Sequence, residues 1–176
     1  MFPDHSLMPK EALRLAALGM LAERPMSYGE LARAVREFVD RIMGPSPEAM
    51  GGSLELLRVE GLIGQDAGGD GAALSLTAKG RAQFVTLMLA TVRAPFNDLN
   101  KLVVALKLRF LELLPAEGRR DQTGLLVEAC RVELARLLDL RSRESGRGGL
   151  FLAWLDHDIA QAQARLAWFE TLSAKL

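Results

Sequence analysis

Helical periodicity runs through most of this 176-residue chain and is interrupted once, by two short apolar runs around a Gly/Asp-rich turn. The runs are Leu62-Ile63 and Leu74-Ser75-Leu76, and Gly68-Gly69-Asp70-Gly71 lies between them. Gly61 stands before the pair as a helix-stop residue, and Thr77 stands after it as a helix cap. Helix, hairpin, helix in that order is the second half of a winged helix-turn-helix. The predicted fold class is therefore mainly α. An N-terminal winged helix-turn-helix, with three helices plus a β-hairpin wing, occupies residues 1–82. A C-terminal helical dimerisation region follows over residues 83–176.

Each element has a local reason. Pro9 suits a first helical position, where its fixed φ fits and its missing N–H is no loss. Leu13, Ala16, Ala17, Met20 and Leu21 follow at helical spacing until Pro25. Ser27-Tyr28-Gly29-Glu30 reads as a capping box, in which the serine accepts from a first-turn amide and the glutamate reaches back. The helix it opens carries Leu31, Val35, Phe38, Val39 and Ile42 on one side and closes at Gly44-Pro45. Ser46-Pro47 opens a third helix with a buried stripe of Met50, Leu54 and Leu57. Gly61 is placed at its C′ position with φ > 0, and Leu62 supplies the apolar contact that accompanies such caps.

After Thr77 the pattern is wholly helical. Phe84, Leu87, Met88 and Val92 predict a helix to about Ala94, broken by Pro95. Leu99, Leu102, Val103, Leu106 and Phe110 continue to Leu114, and Pro115 and Gly118 mark a loop. Leu126, Ala129, Val132, Ala135 or Arg136, and Leu140 predict another helix, ended by Ser145-Gly146-Arg147-Gly148-Gly149. The last helix begins near Leu150. Its residues Leu155, Ile159, Ala162, Leu166 and Phe169 form an a/d seam, and Trp154 and Trp168 form a second stripe two heptads apart. Two apolar stripes on one helix call for two partners, the chain itself and a second subunit. The expected dimer interface is Trp154, Leu155, Ile159, Ala162, Leu166, Trp168 and Phe169.

Composition bounds the function. The sole cysteine, Cys130, lies in an apolar-periodic helix and reads as a small buried hydrophobe. Asp156-His157-Asp158 resembles a ligand cluster, but consecutive helical residues point about 100° apart and cannot converge on one ion. Neither a Gly-x-Ser-x-Gly elbow nor a phosphate-binding loop occurs. The expectation is no enzyme, no metal and no cofactor. With neither a signal peptide nor an uninterrupted apolar span, no membrane association and a cytoplasmic location are expected. Net charge is zero, yet residues 44–77 hold one basic residue, Arg58, against five acidic ones: Glu48, Glu55, Glu60, Asp66 and Asp70.

Several of these phrases together resemble the PadR-family transcriptional regulators. They are Leu18-Gly19-Met20-Leu21, Ser27-Tyr28-Gly29-Glu30-Leu31, Leu57, Glu60-Gly61-Leu62-Ile63, and Leu74 through Arg81. In the closing segment, Asp158-Ile159 and Leu166 through Glu170 continue the resemblance. The resemblance implies a homodimeric, DNA-binding repressor joined through its C-terminal helices and responsive to a small aromatic or cationic ligand. Candidate DNA contacts are Ser27, Tyr28, Ser46, Ser53, Glu55 and Arg58, with Arg33, Arg36, Arg41, Lys79 and Arg81 toward flanking phosphates. The chain departs from the family pattern in its third helix, where Gly51, Gly52 and Glu55 replace an aromatic, a proline and a basic residue. Its wing carries Asp66 and Asp70 instead of basic residues. Because phosphate contacts supply most non-specific affinity, that affinity is expected to be weak. The alternative reading is a winged-helix dimer that has lost DNA binding and acts through a protein partner.

Overall fold

The computed structural model describes residues 6–44, 53–65, 72–92, 97–144, 146 and 149–176. Among them the chain forms α1 (Pro9–Glu23), α2 (Tyr28–Met43), α3 (Ser53–Val59), β1 (Ile63–Gln65), β2 (Leu74–Leu76), α4 (Ala78–Met88), α5 (Asp98–Arg109), α6 (Ala116–Arg143) and α7 (Leu150–Ser173). A single 3₁₀ turn, Leu111–Leu113, joins α5 to α6. The start of the third helix at Ser46, with Met50, Gly51 and Gly52, lies outside the described residues. So do the wing turn with Asp66 and Asp70, Pro95, and part of the loop before α7.

α1 is the central helix. Leu13 and Leu15 through Leu21 are buried, so it is enclosed on nearly every side and packs against α2, α3, β2, α4 and α5. Gly19 permits the closest of these approaches. The Phe110 ring at the end of α5 occupies the space a Cβ at this position would take. Phe110 also meets Phe84 of α4 edge-to-face, with centroids 6.0 Å apart.

The three predicted end signals are present. The Ser27 amide donates to Glu30 Oε2 at 2.8 Å, and the Glu30 amide donates to Ser27 Oγ at 3.3 Å, closing the capping box. The Ser27 amide bond holds the Glu30 carboxyl below the ordinary glutamate range. Gly61 has φ +69°; its amide donates to the Arg58 carbonyl and that of Leu62 to the Leu57 carbonyl, both at 2.9 Å. This is the Schellman pattern, and it terminates α3. Thr77 Oγ1 accepts from the Gly80 amide at 3.0 Å and donates to the Gly61 carbonyl at 2.8 Å, tying the start of α4 to the end of α3.

β1 and β2 pair antiparallel in the register Ile63–Leu76, Gly64–Ser75 and Gln65–Leu74. Met26, just before α2, exchanges both backbone hydrogen bonds with Leu74, at 3.3 and 2.9 Å, and so backs the hairpin with a third extended segment. Gly80 completes this corner. A Cβ there would overlap the Leu62 carbonyl oxygen, so only glycine lets α4 lie so close to the wing.

The C-terminal half corrects several expectations. α4 stops at Met88, not near Ala94, and the buried ammonium of Lys107 on α5 donates to the carbonyls of Leu87 and Met88 at its end and of Ala90 just beyond. α5 ends at Arg109 rather than running to Leu114. Gly118 lies inside α6, not in a loop. α6 starts at Ala116 after Pro115, whose φ of −60° suits a helix entry. The expected stripe on α6 also fails: Val132, Ala135, Arg136 and Leu140 are exposed. Three successive steps of three residues, from Leu126 to Ala135, turn through half a circle and leave the buried face. The face actually buried carries Leu126, Val127, Ala129, Cys130, Glu133 and Leu137.

α6 and α7 form a long antiparallel pair. Of the a/d seam, Phe169 is buried in the main core and Leu166 packs against it. Leu155, Ile159 and Ala162 form a second small cluster with Leu137. These seam residues are thus covered by the chain's own packing. The side chains that remain open to a second chain are those of the other stripe, with Trp154 55% and Trp168 53% exposed. The main core runs without a break from Leu7 to Phe169, across residue 82.

Candidate nucleic-acid interface

The capped start of α2, the exposed side of α3 and the two strands enclose one open cleft of about 510 Å³. Ser27, Tyr28 and Gly29 line it from α2, Glu55 and Arg58 from α3, and Gln65 and Ala72 from the wing, over a floor of Leu54, Ile63 and Leu74. The floor is apolar because Ile63, Leu74 and Leu76 of the hairpin share its inward face; Gln65, on that same face at the end of β1, is exposed. Tyr28 is 46% exposed, so its ring stands at the cleft rim, outside the core. Ser27 is committed to its cap, which fixes the entry angle of the Tyr28 side chain.

Glu55 and Arg58 are paired. Arg58 Nε and Nη2 donate to the same carboxylate oxygen, Glu55 Oε1, at 3.1 and 2.6 Å. Glu55 lies on the exposed side of α3, opposite buried Leu54 and Leu57. Of the predicted contacts, Ser27, Tyr28, Glu55 and Arg58 therefore share one cleft. Arg33, Arg36 and Arg41 lie on the exposed side of α2, Arg41 beside Glu37 at 3.6 Å. Arg81 is exposed on α4, and Lys79 Nζ donates to the Glu60 carbonyl at 2.8 Å. None of these five lines the cleft. Ser53 begins α3, and Ser46 lies outside the described residues. Gln65 is a cleft residue that the sequence reading missed. Its signal was a polar side chain closing an otherwise apolar strand.

The remaining chemistry-bearing groups have structural partners. Burial pushes the Cys130 thiol up, away from the thiolate. Arg141 Nε donates to Asp156 Oδ1 at 2.5 Å, and that bond holds the Asp156 carboxyl below the usual range. His157 Nε2 meets Gln161 Nε2 at 2.6 Å, away from either aspartate. Among the described residues no three His, Cys, Asp or Glu side chains are grouped to hold a metal ion. Nor is any helix there long and apolar enough to cross a membrane.

Residues 2–173 match the family described as "Putative AphA-like transcriptional regulator". The chain belongs to this family. Membership agrees with the PadR resemblance of the sequence and makes the protein a transcriptional regulator, not an enzyme. No curated protein sequence matches this regulator. Among solved structures it is similar to Bacillus subtilis PadR, with 16% identity, a TM-score of 0.41, and 97% of this chain and 98% of that chain covered. It is similar also to Bacillus subtilis PadR in complex with operator DNA, at 16% identity, TM-score 0.39 and coverage of 93% and 97%. The third is Bacillus subtilis PadR in complex with p-coumaric acid, at 17%, 0.40, and 93% and 98%.

One buried group found no place in the sequence reading. Lys107 is fully buried, and its ammonium donates to the carbonyls of Leu87, Met88 and Ala90 and, at 3.0 Å, to Gln122 Oε1 of α6. Burial pushes its pKa down to about 7. The signal was positional: residue 107 lies four after Val103 and three before Phe110, on the buried stripe of α5.

Proposed function

We propose that this regulator binds DNA as a homodimer and represses transcription, reading its site through the cleft between α2, α3 and the wing. Convergence carries the reading. Tyr28, Glu55, Arg58 and Gln65 come from three different elements, and they meet on the side of the fold that the recognition helix and wing present. Residues 1–82 supply this reading unit and residues 83–176 the dimer contact, in the cytoplasm. The dimer contact rests on Leu150, Phe151, Trp154 and Trp168, all exposed on α7, with Phe151 and Trp154 stacked at 5.8 Å. A small aromatic effector, implied by the family resemblance, belongs to the same reading.

The charge pattern shapes how DNA is bound. With one basic and five acidic residues across 44–77, few phosphates are neutralised. Affinity for unrelated DNA is then weak and the salt dependence shallow, since the slope scales with phosphates contacted. The test is to incubate the protein with fragmented genomic DNA at low salt and sequence what is retained. A small set of fragments sharing a two-fold-related motif is expected. Retention of no DNA at any salt concentration overturns the reading in favour of a protein partner on the acidic face.

A further inference from the structure

Across residues 44–77 the chain has a single basic residue, Arg58. Any arginine contact to a base edge from the third helix or the wing must come from it. Nε and Nη2 both donate to Glu55 Oε1, which orients the group and uses the edge nearest its own stem. The opposite edge, Nη1 with the second N–H of Nη2, remains as a fork. That fork matches the paired acceptors O6 and N7 that guanine shows in the major groove. Both partners are exposed, 58% for Arg58 and 51% for Glu55, so as an ion pair they contribute little to stability. Both also line the cleft. The consequence of the pair lies in orientation.

We infer that Arg58 is the guanine-reading residue of α3 and that Glu55, the acidic substitution in this helix, is its positioning residue. This rests on the DNA-binding reading above. Glu55 thus has two effects of opposite sign. Its charge repels phosphates and lowers affinity for all DNA, and its grip on Arg58 raises discrimination at one base pair. A protein with little phosphate attraction to begin with gains selectivity from both.

The experiment is a selection from a random duplex library with the full-length protein, followed by titrations of the selected site and of unrelated DNA. The wild type is expected to enrich a fixed guanine in each half-site, and replacing that guanine should weaken binding about tenfold or more. Arg58→Lys keeps the positive charge without the planar fork and should erase that penalty. Glu55→Ala should tighten binding to unrelated DNA while shrinking the guanine penalty to roughly two- to threefold. Glu55→Gln, which keeps an oxygen acceptor for Arg58, should fall between. Melting temperatures should hardly move, because both side chains are exposed. If Glu55→Ala tightens binding to selected and unrelated DNA alike and leaves the guanine penalty intact, Glu55 acts only as a charge and the inference is overturned. It is overturned equally if Arg58→Lys retains the penalty. A wild type that retains no duplex at all overturns the DNA-binding reading itself, and this inference with it.

Discussion

α1 hides Leu15 through Leu21 from solvent, whereas α7 leaves Leu150, Phe151, Trp154 and Trp168 open to it. Both helices are rich in apolar residues, so composition does not separate them. Their neighbours do. α1 is ringed by α2, α3, β2, α4 and α5, and every apolar side chain on it finds a partner within the chain. α7 packs chiefly on one helix, α6, which can cover a single stripe. What differs is how many elements the chain can bring to each helix. The first region is closed by its own sequence. The second, in the reading proposed above, is closed by another copy.

The closed region should be the more brittle, and the largest effect should come from Gly80→Ala. The added methyl has nowhere to go but into the Leu62 carbonyl, so α4 must shift off the wing at a cost of about 3 kcal/mol. A urea midpoint close to wild type would show that the wing corner can open enough to admit the methyl.

Next in size is Lys107→Met, which strands the α4 carbonyls and Gln122 Oε1 in the core, about 2–3 kcal/mol by denaturant titration. This lysine also sets a pH dependence. Its folded pKa of about 7 lies below the ordinary 10.5, so between these values the unfolded chain holds a proton that the folded chain releases. Stability should therefore rise with pH through that window, by at most about 1.4 kcal/mol per unit, and level off below pH 7 where both states are protonated. The rise should vanish in Lys107→Met.

Gly61→Val should cost about 1–3 kcal/mol, because a β-branched residue is strained at φ +69° although the space around it is open. An unchanged melting temperature would remove the helix end placed there.

The sharpest test of the comparison is Trp154→Ser with Trp168→Ser. Both rings are about half-exposed, so each gives up only part of its packing within the chain. Sedimentation should show the dimer weakened at least tenfold. A wild type that is monomeric at high micromolar concentration would leave the apolar stripe of α7 without its proposed partner.

The elements of the N-terminal half were legible because their ends are written in local chemistry. Ser27, Gly61 and Thr77 set these ends through cap bonds to residues three positions away or through their own φ, although Thr77 also reaches back to Gly61. Nothing comparable marks the end of α4. Its last carbonyls are satisfied by Lys107, nineteen residues on, whose charge reads in a sequence as a surface feature. The α6 stripe was misread for a different reason. Small and large apolar residues occur all round that helix, and a spacing of three can be continued past the point where it still describes one face. At the cleft, Tyr28, Glu55 and Arg58 could be nominated from their helices. That Arg58 can pair with Glu55 follows from their i, i+3 spacing; that two donors meet one carboxylate oxygen, and that Gln65 joins them, depends on rotamers and on strand register.

The buried ammonium of Lys107 also bears on how freely such a regulator could be recombined. Its cation belongs to α5 and its acceptors to α4 and α6, so the end of the helix that follows the wing is completed by residues far down the chain. A chimera that joined residues 1–92 to the helices of another regulator would need that recipient to bring a donor to the same carbonyls. Exchange of reading units within such a lineage then needs a matched lysine as well as a matched apolar face on α5.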